Sequence, residues 1–190
     1  DWTFAEIAAR QPEAFIVLVG HMGNGGIAER LFERMRPHFA QRGLEIEQHL
    51  RILPRLDYAD YMGLFSISHH TIDTIDWNGG NSSLQSFSLD CPVVTLPTAF
   101  MRGRHTVAML EVLELPELIA QDGEDYVAIS SRLLSDEAFY QEMRAKIAER
   151  KERLFHDKSV AEAFQLAVET ICRQVPAVGQ QPIEILPLAA

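Results

Sequence analysis

Between Asp73 and Pro97 the chain reads DTIDWNGGNSSLQSFSLDCPVVTLP. Gly79 and Gly80 permit a tight turn and a close backbone approach. Asn81, Ser82 and Ser83 come next as a polar helix start, a short helix runs to about Leu89, and Val93–Leu96 returns as an apolar strand. A strand leads in from Ser66–Ile72. A chain that passes from strand through a glycine turn to a helix, and returns at once as an apolar strand, is constrained to a parallel sheet flanked by helices. The first turn of such a helix offers N–H groups with no partner inside the helix, and its dipole favours anions by ~0.3–2 kcal/mol.

The rest of the chain repeats this alternation. Trp2–Arg10 has a helical pattern, and Phe15–Val19 (FIVLV) reads as a strand buried on both faces. The loop Gly20–Gly26 precedes an amphipathic helix carrying Ile27, Leu31, Phe32, Met35 and Phe39, which Gly43 ends. Leu50–Leu53 is a short strand, Asp57–Phe65 a helix with Tyr58, Tyr61 and Leu64 along it, and Arg102–Val112 another helix. These elements predict a doubly wound, Rossmann-like α/β fold in which Phe15–Val19, Ile67–Ile72 and Val93–Leu96 are neighbouring parallel strands.

From Gly123 the pattern is helical. Asp122 caps a helix with Tyr126, Ile129 and Leu133. Glu137–Phe155 is charged and reads as a more exposed helix. Ser159 with Glu162 has the spacing of a capping box before Val160, Phe164, Ala167, Val168 and Ile171. Residues 1–174 are expected to form the α/β domain and its helical extension, and 175–190 an irregular tail.

A net charge of −10 argues against nonspecific nucleic-acid binding. No apolar run approaches the ~20 residues of a membrane span. Cys91 and Cys172 stand in no CxxC pattern, which disfavours a zinc site or a disulfide framework. Both are read as buried thiols in a reducing cytoplasm. The chain opens directly into a helical pattern and is expected to be a fragment of a longer polypeptide.

Three loops are expected to meet at the sheet's ligand crevice: Gly20–Gly26, Leu53–Asp57 and Thr74–Asn81. The third carries the most weight, because Asn81 and Ser82 can donate to a diphosphate, each bond to a charged group contributing ~1.5–3 kcal/mol. An ordinary N-cap after a turn accounts for the same residues equally well. GHMGNGG lacks the GK[ST] of a P-loop and fits an ordinary turn better. His21 is more readily a packed loop histidine than a base. His69 and His70, adjacent on a strand, would face opposite sides, which argues against a shared metal. Arg102 and Arg104 either neutralise phosphate or brace their loop. No spacing singles out a catalytic residue or a metal site.

The strings LDYADYMGLF, IDTIDWNGGNSSLQSFSLDCPVVTLP and RGRHTVAMLEVLELPELIAQDGEDYVAISSRLLSD together resemble the C-terminal catalytic half of the O-linked N-acetylglucosamine transferase family. The likeness runs from Phe15 to Ile171. It is most specific at Asp73–Thr74, Asn78–Gly79, the PVVTLP strand, Arg104 and Glu124–Tyr126. The resemblance implies a GT-B glycosyltransferase, inverting and metal-independent, whose C-terminal domain binds UDP-N-acetylglucosamine and delivers the sugar to a protein Ser or Thr. The bacterial members often carry tetratricopeptide repeats.

The family's Asn-Gly-His-Thr-Thr element falls on Asn78, Gly79, Gly80, Asn81 and Ser82, where it contacts the diphosphate. The ribose-binding aspartate falls on Gln85, a histidine packing on uracil on Tyr61, and a nearby lysine on Tyr58. The backbone around Leu56 would read the base edge, and Arg104 would face the phosphates. The family's other donor-site lysine and its catalytic histidines lie upstream of Asp1. No cofactor is implied. The expected partners are a UDP-sugar, a protein or peptide acceptor, and a preceding domain with or without repeats, so this fragment alone is expected to be inactive. Rival readings are a degenerate nucleotide- or partner-binding domain without catalysis, and another GT-B enzyme such as a nucleotide-sugar epimerase.

Overall fold

A computed structural model describes residues 1–20 and 26–174. Residues 1–154 form one compact unit and 155–190 a second. In the first, α1 (Trp2–Arg10) buries Thr3, Ala5, Ile7 and Ala8, and β1 (Ile16–Val19) comes after it. Helix α2 (Ile27–Ala40) buries Met35 and Phe39. It ends as expected at Gly43, whose φ of 70° lets Leu44 N–H reach back to the Phe39 carbonyl. Helix α3 (Ile46–His49) runs directly into β2 (Leu50–Leu53).

Asp57 caps α4 (Tyr58–Ile67) by accepting the Asp60 N–H at 2.9 Å. Strand β3 (Thr71–Ile72), α5 (Asn81–Ser88) and β4 (Val93–Val94) come next. Short 3-10 turns at Met101–Gly103 and Pro116–Leu118 flank α6 (His105–Val112). Asp122 and Asp136 cap α7 (Gly123–Ser135) and α8 (Glu137–Arg150) through the Asp125 and Phe139 N–H groups. Helix α9 (Glu152–Phe155) is next in the chain. In the second unit α10 (Ser159–Gln174) is the described helix.

The fold is α/β and Rossmann-like, with the described strands in two parallel pairs. Strand β1 pairs with β2 from Ile16↔Leu50 to Val19↔Leu53, and β3 with β4 at Thr71↔Val93 and Ile72↔Val94. A bridge from Thr95 to Ile119 continues the second sheet. The expected neighbours β3 and β4 are thus confirmed, but the ladder partner of β1 is β2, not β3.

The missing β1–β3 ladder traces to the segment read as a strand from Ser66. Helix α4 continues to Ile67 and closes when the Ser68 N–H and hydroxyl both donate to the Leu64 carbonyl. Only Thr71 and Ile72 remain for the strand. Ile72 packs against both hydrophobic cores, one around Phe39, Met35 and Leu50, the other around Tyr126, Phe87 and Leu110. Burying side chains of this size contributes roughly 1.5–3 kcal/mol each.

Other expectations are corrected. Strand β1 is not buried on both faces: Ile16 is buried, its other residues are half-buried, and Phe15 is 48% exposed. The helix expected over Arg102–Val112 breaks at Gly103, where any Cβ would collide with the Thr98 hydroxyl. The helix expected over Glu137–Phe155 is two helices, and α8 is not merely a solvated face. It buries Phe139, Met143 and Ile147, while Lys151 pairs with Asp90 at 2.7 Å. At α10 it is Asp157, not a Ser159–Glu162 box, that accepts the Ser159 N–H at 2.8 Å. Cys91 is buried but Cys172 is exposed. The loop 21–25 with His21, and the tail 175–190, lie outside the described residues.

Candidate functional site

The chain leaving β3 is held by an interlocked set of polar groups. Asp73 continues the ladder, its N–H donating to the Val94 carbonyl at 2.9 Å, and the residue is 6% exposed. Its Oδ1 accepts the Gly79 N–H at 2.7 Å and its Oδ2 the Thr95 hydroxyl at 2.9 Å. The phenol of Tyr126, fully buried on α7, donates to the Asp73 carbonyl at 2.7 Å. Burial pushes the Asp73 carboxyl above its ordinary range against these donors. Burial, and then the Asp73 charge, pushes the Tyr126 phenol well above its own.

The turn after Asp73 is tied to the loop after β4. The Thr74 hydroxyl donates to the Trp77 carbonyl, Asn78 Nδ2 to the Thr74 carbonyl at 2.9 Å, and Asn78 N–H to the Arg102 carbonyl at 2.8 Å. Gly79 then meets the start of α5. Its carbonyl accepts from Ser83 Oγ at 3.1 Å and from Thr106 Oγ1 at 3.3 Å. A Cβ on Gly79 would lie 2.5 Å from both Ser82 Oγ and Ser83 Oγ, whereas one on Gly80 would meet nothing within 4 Å.

A cleft of about 570 Å³ opens between β1 and residues 67–74. Tyr61 and Phe65 of α4, packed edge to face at 5.1 Å, form part of its wall. Asp73, Gly79, Ser82 and Ser83 line it where β3 ends. The Ser83 hydroxyl is engaged, lying within reach of both the Gly79 carbonyl and Thr106 Oγ1, the latter at 2.9 Å. The Ser82 hydroxyl has no hydrogen-bond partner among the described residues. Gly20 N–H donates to the Leu53 carbonyl at 2.7 Å, so the starts of the first two expected loops meet.

Of the nine site residues expected from sequence, Tyr61, Gly79 and Ser82 share this lining. Leu56 is half-buried between β2 and α4, and Tyr58, 71% exposed, opens α4; neither is in the lining. Gly80 and Asn81 are at the start of α5 and exposed, and Gln85 is half-buried a turn later, also outside the lining. Arg104 borders a separate hollow of about 650 Å³ on α6, its Nη1 donating to the Thr98 carbonyl at 3.5 Å. Arg102 braces its loop. It donates to the Asp76 carbonyl at 3.2 Å and lies over Trp77 and Phe100 at 5.9 and 4.7 Å.

His69 and His70 are not on a strand, and they do not separate as expected. Their Nδ1 atoms are 3.3 Å apart, and His69 stacks on Tyr140 at 3.7 Å. Burial, and then the neighbouring His69, pushes the His70 imidazole down to about 3. Among the described residues no group of three or more His, Cys, Asp or Glu is placed to hold a metal ion, and no helix is long and apolar enough to cross a membrane.

Sequence reasoning passed over Asp73, Thr106 and Tyr126 as members of the site. The signal for Asp73 was present, a carboxylate ending an apolar strand six residues before a glycine turn. Tyr126 joins from 53 residues away, and no local pattern points to it.

Residues 66–164, just over half of the chain, match glycosyl transferase family 41. A Caenorhabditis elegans UDP-N-acetylglucosamine--peptide N-acetylglucosaminyltransferase is 33% identical over 76 residues, 40% of this chain and 7% of that protein. The Giardia intestinalis protein of the same description is 28% identical over 97 residues, 51% of this chain and 7% of its own. The probable UDP-N-acetylglucosamine--peptide N-acetylglucosaminyltransferase SPINDLY of Petunia hybrida is 26% identical over 117 residues, 57% and 13%. The chain thus spans 7–13% of the length of these relatives. In structure it is similar to a mutant of Thermobaculum terrenum O-GlcNAc transferase, with a TM-score of 0.72 and 24% identity over 91% of this chain and 32% of that one, a likeness of fold.

Proposed function

The chain belongs to glycosyl transferase family 41, and we propose that its α/β unit is the donor-binding domain of a GT-B enzyme that moves a sugar from a UDP-sugar to a protein Ser or Thr hydroxyl. The observation that carries this reading is the convergence on one cleft, where β3 ends, of Tyr61, Gly79 and a Ser82 hydroxyl unengaged among the described residues. The diphosphate sits at the start of α5, held by Ser82 Oγ and the first-turn N–H groups. The nucleoside runs along the cleft, with its base on the Tyr61 ring.

The acceptor oxygen attacks the anomeric carbon from the face opposite the leaving group, with inversion. The bond from that carbon to the diphosphate oxygen breaks, and the nucleotide leaves with the electron pair. Donors at the start of α5 stabilise the negative charge that develops there without a metal. The acceptor's proton goes to a base outside this unit, supplied with the acceptor site by a preceding domain. Residues 1–190 alone therefore transfer no sugar.

Calorimetric titration of the full-length protein with UDP, GDP and their sugar derivatives tests the reading. Saturable binding of a uridine nucleotide supports it, and no binding of any nucleotide overturns it. The second reading, nucleotide binding without catalysis, is favoured by the open space at Gly80, where the family's histidine falls. Binding of UDP-sugar by the full-length protein with no turnover on any peptide would select it.

A further inference from the structure

We propose that Asp73 is a positioning residue for the diphosphate site: its buried carboxylate holds the Gly79 N–H and so sets the angle at which the first turn of α5 faces the cleft. The inference rests on the donor-site reading above.

A buried carboxylate is costly to ionise, and it persists only where donors surround it. At Asp73 they do, and they come from separate parts of the chain. Oδ1 accepts from the glycine turn at 2.7 Å and Oδ2 from Thr95, beyond β4, at 2.9 Å. The backbone of Asp73 is itself fixed on two sides, by its N–H to Val94 and by the Tyr126 hydroxyl on its carbonyl. The side chain therefore reaches from a fixed base to the glycine turn.

The far side of Gly79 is fixed as well. Its carbonyl accepts from Ser83 and Thr106, and the absence of a Cβ lets the turn pack closely against Ser82 and Ser83. Gly79 is thus gripped at its N–H by Asp73 and at its carbonyl by α5 and α6. Held donors of this kind need no reorganisation when an anion arrives. The grip also has a cost in donors. The Gly79 N–H is already occupied, so the anion is met by Ser82 Oγ and the N–H groups of the same first turn.

The test uses the full-length protein and UDP. Asp73→Asn keeps a carbonyl oxygen for Gly79 N–H and should hold UDP within about threefold of the parent. Asp73→Leu, branched at the same carbon but bulkier and without acceptors, should weaken it by ~10-fold or more, and Thr95→Val by roughly threefold. A double-mutant cycle of Asp73→Leu with Ser82→Ala in UDP affinity should show coupling of about threefold or more, which a merely structural role would not produce. If Asp73→Leu fails to fold, Thr95→Val decides with its own cycle against Ser82→Ala. Parent binding that Ser82→Ala weakens while Thr95→Val and folded Asp73→Leu leave it unchanged overturns this inference alone. No UDP binding by the parent overturns the donor-site reading and this inference with it.

Discussion

The two strand pairs are built in different ways. Strands β1 and β2 form a four-residue ladder, packed on a core that includes Ala5, Ala8, Met35, Phe39 and Leu50. Strands β3 and β4 share only two residue pairs, and beyond their ends the chain is held by the side chains of Asp73, Thr95, Thr106, Ser83 and Tyr126. Backbone ladders make one half regular, while a buried polar network makes the other specific. Partly satisfied networks are costly, so the site-bearing half should be the more sensitive to loss of single polar atoms.

The largest expected effect comes from emptying the two cores. Tyr126→Ala and Phe39→Ala should each lower unfolding free energy by about 3–5 kcal/mol, since both rings are fully buried. Tyr126→Phe separates the halves: loss of its hydrogen bond should cost ~1–2 kcal/mol and also weaken UDP binding. A folded Phe39→Ala should bind UDP normally. Urea unfolding with calorimetry checks both, and equal effects on UDP would break the comparison.

The next effect is a pH dependence seated in the cleft wall. The folded His70 holds its proton only below about 3, far under the 6.5 of an exposed imidazole. The unfolded chain therefore binds more protons between those values. The stability His70 contributes is present above 6.5 and is lost as pH falls toward 3, with a slope of up to ~1.4 kcal/mol per pH unit. Asp73 acts in the opposite sense, because its carboxyl is raised. Urea midpoints for His70→Gln across this window should fall less steeply than the parent's.

Ser82→Asp puts negative charge beside the diphosphate and should weaken UDP by more than tenfold, ~1.4 kcal/mol. Unfolding free energy should hold, because Asp suits a helix start. A folded variant with parental affinity would place the phosphate elsewhere. The smallest effect is expected at Gly80. With open space around it, Gly80→His should change stability by less than ~0.5 kcal/mol and tighten UDP by about threefold. Weaker binding would show that the open position is used by something other than an imidazole.

Local signals in the chain set the order of the elements and the place of the turn. Helix periodicity, the caps at Asp57 and Asp122, the stop at Gly43 and the apolar runs of β1 and β4 are such signals, and each element they mark is present. The family resemblance places Tyr61, Gly79 and Ser82 at one site, and in the fold the three share one cleft lining. Tertiary packing settled the points that those signals leave open. An apolar run such as Ser66–Ile72 suits helix or strand, and the Ser68 bonds to Leu64 made it helix as far as Ile67. With β3 reduced to two residues, no ladder joins it to β1 among the described strands, and a cleft lies where a continuous sheet was expected. The grip on Gly79 joins Asp73, Thr95, Thr106 and Tyr126, and only folding brings such distant donors to one buried residue, because no local period encodes contacts across 53 residues.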